Sequence, residues 1–155
     1  MRAQILYSRM LNFKSIDYAQ RLNIYTEIGH LLSLEDWQLL QERKIYFNIV
    51  FSPGVVTPVE IDIPRGSQLI NLDSNTLFEF EQRQRIAIFL HEIGHALNPN
   101  LTGREGEFIA DDYAIARGYG QDIIESLNFG IEHYSLEFDK PITHERILRI
   151  QNLRL

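Results

Sequence analysis

The stretch IAIFLHEIGHAL, residues 86–97, leaves the chain little conformational choice. On a helix wheel of about 100° per residue, with His91 at zero, Ile86, Phe89, Leu90, Ile93, Ala96 and Leu97 fall between about 140° and 260°. His95 then lies near ~40° and Glu92 near ~100°, outside that arc. The pattern is that of an amphipathic helix anchored by one apolar stripe. Its other side presents His91, Glu92 and His95.

Two imidazoles four residues apart can grip one metal ion from the same helix face. A glutamate beside them can take a proton from water that the metal has made acidic. Gly94, inside the motif, allows a neighbouring element to come close. The tetrapeptide EIGH also occurs at 27–30, but residue 26 is threonine, so that copy offers His30 alone and no metal pair. The chain contains no cysteine. Any metal must therefore be held by His, Asp or Glu.

A catalytic zinc needs a third protein ligand. Positions 98 and 101 are Asn and Leu, which excludes the class with a third histidine shortly after the motif. Glu105, Glu107, Asp111, Asp112, His133 and His144 remain. The motif helix should stop near Asn98–Pro99, and NPNLTGREG reads as a loop before a second helix starting close to Glu105. A short loop makes the two helices antiparallel neighbours. Glu107, in the first turn of the second helix, then faces His95, and Asp111 stands level with His91. Glu107 is the expected third ligand, with Asp111 orienting a histidine ring; Asp111 as the ligand in its place stays open. Ala110, Ala114 and Gly118 share that face and would let the helices pack closely.

HEIGH followed by EFIAD resembles the gluzincin metallopeptidases. Within them it is most similar to the family of CAAX prenyl proteases and heat-shock membrane peptidases, whose motif is HExxH followed by ExxxD. The resemblance implies that His91, His95 and Glu107 bind zinc (Zn2+), that Glu92 is the catalytic base and that Asp111 supports a ligand. THERILRI, 143–150, is loosely similar to that family's C-terminal histidine followed by Arg-Ile. It makes His144 a candidate for stabilising an oxyanion, with His133 or Tyr134 as substitutes. The gap between motifs is shorter here, and Glu145 stands where the family usually has proline. A group of soluble repressor-cleaving peptidases of mobile elements is also similar.

The remainder of the chain frames this site. Its 155 residues, 45% hydrophobic and 23% charged, suit one globular domain over 1–155. A net charge of -6 disfavours nucleic acid or an anionic membrane as partner. Neither a signal peptide nor an apolar run long enough for a membrane span is legible, so a soluble, cytoplasmic protein is expected. Residues 15–43 read as two helices broken near Ser33, with Asp36 completing its cap. KIYFNIVF (44–51), VVTPVEIDI (55–63) and SQLINLD (67–73) read as strands, and 76–97, 104–118, 121–134 and 143–153 as helices. The fold class expected is α+β: a minimal zincin-like domain whose three-stranded, mostly antiparallel sheet packs on the HExxH helix. Strand 67–73 is the candidate edge for an extended peptide substrate. The activity expected is a zinc endopeptidase. The alternatives are a non-catalytic protein whose zinc only holds helices together, and a regulatory repressor-cleaving peptidase.

Overall fold

Two residues in the left-handed region and one capping box punctuate the N-terminal half. The computed structural model describes residues 13–50 and 66–153. Helix α1, Phe13–Arg21, ends where Asn23 takes φ 57. The Ile24 N–H reaches back to the Ala19 carbonyl and that of Asn23 to Gln20, both at 3.0 Å, the hydrogen-bond pattern of a Schellman C-cap. Asparagine tolerates this backbone region better than most residues. Helix α2, Tyr25–Leu31, follows directly. Ser33 then caps α3, Leu34–Glu42: its Oγ accepts from the Asp36 N–H at 3.0 Å, and Asp36 Oδ2 accepts from the Ser33 N–H at 2.9 Å. Both halves of a capping box are present. The expected cap is there, but Asn23 supplies a further break, so three helices replace the expected two.

Strand β1, Ile45–Val50, starts directly after Lys44, which has φ 55. Strand β2 is Gln68–Asp73. The two pair in parallel, in a register that sets Ile45 opposite Gln68 and Asn48 opposite Asn71. The Asn48 amide donates to Asn71 Oδ1 across this register at 2.8 Å. Parallel pairing needs a crossover of roughly a dozen residues or more, and the connection 51–67 is long enough. Ile45, Phe47, Asn48 and Ile49 are all buried, as befits a strand covered on both faces. Ala19, Leu22, Ile24, Ile28, Trp37 and Leu40 complete that core, with α1 and α3 packed on β1. Each large side chain buried there contributes about 1.5–3 kcal/mol.

The expected sheet is therefore corrected. The chain is mostly helical, and among the described residues its sheet is two-stranded and parallel, where a three-stranded, mostly antiparallel one was expected. The expected strand 55–63 lies outside the described residues. Alternation and β-branched content mark strands, but the direction of pairing depends on the path of the connection, which those patterns do not encode.

Contacts divide the chain into one unit ending at Gln82 and a second beginning at Arg83. In the first, Asp73 ends β2 and its carboxylate accepts from the Asn75 and Thr76 N–H groups at 3.3 and 3.4 Å. This starts α4, Ser74–Phe78. The helix expected over 76–97 is thus split. Phe80, in the link before α5, Gln82–Leu97, is buried.

The described residues of the second unit form helices only. On α5, Ile86, Phe89, Leu90 and Ile93 are buried as the apolar stripe requires, but so are Ala87, His91 and Gly94. Of these, Gly94 and His91 meet α6, Gly103–Ile115. An ideal Cβ on Gly94 would lie 2.7 Å from Ala110 Cα, so the two backbones touch there. Ala110 and Ala114 are 0% exposed, in keeping with the small-residue face. Gly118 does not extend that face. With φ 82 it ends the helix, and the Tyr119 N–H returns to the Ala114 carbonyl at 3.2 Å. Helices α7, Gly120–His133, α8, Ser135–Phe138, and α9, Pro141–Asn152, follow. Proline suits the first turn of α9 because its missing N–H would be unpaired there. Among the described residues no helix is long and apolar enough to cross a membrane.

Candidate metal centre

Helix α5 sets His91 and His95 one turn apart. Its C-terminus is closed by Asn98, whose amide donates to the Gly94 carbonyl at 2.9 Å. The chain turns through 98–102 into α6. The close approach of Gly94 to Ala110 then carries the first turns of α6 against the histidines. Glu107 Oε2 lies 3.5 Å from His91 Nε2, and Glu107 Oε1 lies 3.5 Å from His95 Nε2. The two Nε2 atoms are 3.1 Å apart. Tetrahedral zinc with bonds of 2.0–2.1 Å has ligand–ligand edges of about 3.3 Å, so these separations fit one ion. His91, His95 and Glu107 together can hold a metal, and they are the one such group among the described residues.

Asp111, 0% exposed, sits one turn further along α6. Its Oδ1 is 2.9 Å from His91 Nδ1. Nδ1–H donates to this carboxylate, which leaves the Nε2 lone pair free for a metal. The Asp111 carboxylate is also held in a bidentate grip by Arg146 of α9, through Nε at 2.8 Å and Nη2 at 2.7 Å. The same guanidinium reaches Glu107 Oε2 with Nη1 at 2.7 Å. Arg146 Nη2 also lies 3.3 Å from His91 Nδ1. Both atoms carry protons in the tautomer above, so this is a contact and not a bond.

The electrostatics follow from these pairs. The Glu107 carboxyl is held well below the usual carboxylate range by hydrogen bonds to His91 and His95, with Arg146 adding to them against the cost of burial. Burial pushes Asp111 up, but His91 and Arg146 more than offset it and its pKa is lowered. Burial pulls the His91 ring down, while Asp111 and Glu107 more than compensate and its pKa is raised. The group is closed at His91 and open at the other two: side-chain exposure is 10% at His91 and 31% at both His95 and Glu107. A small ligand can therefore reach it from one side.

Glu92 follows His91 on α5 and is half-buried. The oxyanion candidates lie elsewhere. His144 is exposed and bonded to Asp139 at 2.7 Å. The His133 ring stacks 4.2 Å from that of Phe129, and Tyr134 ends α7. None of the three joins the group of ligand atoms. The residue that sequence reasoning missed is Arg146. Its signal was present: Thr143, Ile147 and Ile150 form the buried stripe of α9, and Arg146 lies on that stripe, where an arginine needs buried acids to face. Glu145, the departure from the resembled family, pairs with Arg104 of α6.

No protein-family model, curated protein or solved structure matches this chain. The functional reading rests on the geometry of the centre.

Proposed function

We propose that this protein is a zinc-dependent endopeptidase of the gluzincin kind, with His91, His95 and Glu107 as ligands and Glu92 as general base. The observation that carries the reading is the convergence of three ligand side chains from two helices, with Asp111 fixing the His91 tautomer and one side of the group open. A zinc ion held there would supply Lewis acidity toward a peptide carbonyl and make water acidic enough to react near neutral pH. His91 and His95 would hold the ion through Nε2, and Glu107 through its carboxylate. Asp111 keeps the proton of His91 on Nδ1. Glu92 accepts a proton from the attacking water and passes it to the departing amine. The intact Glu92 favours catalysis over a purely structural metal, which has no use for that base. The lack of a fourth His, Asp or Glu in the group among the described residues points the same way, since structural zinc sites are usually closed by four protein ligands.

The test is casein hydrolysis by the purified, zinc-loaded protein beside Glu92→Gln. Wild type should cleave, and Glu92→Gln should lose about 10²–10⁴-fold while keeping its metal. Equal rates for the two would remove Glu92 from the chemistry. Zinc bound with no hydrolysis of casein or of a mixed peptide library would favour the structural alternative.

A further inference from the structure

We infer that Arg146 is the positioning residue of the metal centre: one guanidinium fixes two carboxylates, that of Glu107 and that of Asp111 behind His91. This rests on the reading of His91, His95 and Glu107 as ligands. The argument begins with donor count. Arg146 spends Nε and Nη2 on the two oxygens of Asp111 and Nη1 on Glu107 Oε2. A planar fork with fixed donor spacing can span two carboxylates in this way; a lysine ammonium cannot. The Arg146 side chain is 12% exposed, so these bonds are shielded from competing water. Through Asp111 the arginine sets the ring of His91. Through Oε2 it sets the rotation of the Glu107 carboxylate, turning Oε1 toward His95. Two of three ligands thus depend on one side chain from a third helix.

A second arginine on α9 separates this role from simple helix pairing. Arg149 binds both oxygens of Asp112 on α6, at 2.7 and 2.8 Å. It joins the same two helices yet touches no ligand. If Arg146 only held α6 to α9, removing either arginine would have the same consequence for the metal.

The experiment measures zinc affinity by competition with a chromophoric chelator for wild type, Arg146→Lys and Arg149→Lys. Unfolding midpoints of all three are taken in excess chelator. Arg146→Lys keeps the charge facing Asp111 and should bind zinc about 10–100-fold more weakly. Arg149→Lys should bind zinc as wild type does, whatever it loses in midpoint. Unchanged affinity in Arg146→Lys, or equal weakening in both variants, would overturn the inference. Wild type that takes up no zinc would instead remove the ligand assignment itself.

Discussion

His91 has two carboxylate neighbours with different duties. Asp111 holds its Nδ1–H, and Glu107 faces its Nε2. Replacing Asp111 with Asn keeps the shape but removes the charge that orients the ring, and should weaken metal binding about 10–100-fold; titration against a competing chelator reads this. Affinity within error of wild type would show that the ring needs no such partner. Gly94 offers a steric test. A methyl at this position would meet Ala110 Cα at 2.7 Å, and backbone cannot yield as a flexible side chain can. Gly94→Ala should cost about 1–3 kcal/mol and separate Glu107 from the histidines. Differential scanning calorimetry and the zinc titration should fall together, and a fall in neither would mean that the helices do not touch there. The grouping of His91, His95 and Glu107 and the close approach at Gly94 were legible in the sequence because periodicity and loop length fix their faces. Arg146 was not, because its partners are 35 and 39 residues away in the chain.

Element boundaries show a second limit of sequence reading. Asn23, Lys44 and Gly118 each end a helix with positive φ, but lysine gives no sign of that conformation and asparagine only a weak one. Lys44 is exposed and has a side chain where the left-handed region disfavours one, at a cost of about 1–2 kcal/mol. Lys44→Gly relieves this and loses part of the gain to a more flexible unfolded chain. A net stabilisation of about 0.5–1 kcal/mol should appear in urea unfolding, and destabilisation would refute the strain. The sheet fails to be legible for another reason. Segments 44–51 and 67–73 were recognisable as strands from composition, but parallel pairing is a property of the connection. The ion pairs from α9 to α6 were invisible for the same non-local cause. Glu145, Arg146 and Arg149 find their partners Arg104, Glu107, Asp111 and Asp112 only when α9 is set against α6.

At the scale of the whole molecule, the buried charges of the centre set how stability follows pH. With metal chelated, Glu107 and Asp111 have lowered values, so the stability they supply is present above their ordinary values of 4.5 and 3.8 and is lost as pH falls below them. His91 has a raised value, so its contribution is present below its ordinary 6.5 and is lost as pH rises beyond it. Thermal unfolding in chelator should therefore be highest between about 4.5 and 6.5; a midpoint that climbs steadily through neutrality would contradict the His91 pairing. Zinc should raise the midpoint by mass action, most at neutral and higher pH, where histidine is free to bind. The metal's share of this depends on three side chains meeting one ion. The measurement that tests this most directly is metal content by mass spectrometry on wild type and Glu107→Gln, purified side by side from zinc-supplemented medium. The account expects about one zinc per chain in wild type and little or none in Glu107→Gln. No zinc in wild type, or equal zinc in both, would contradict it.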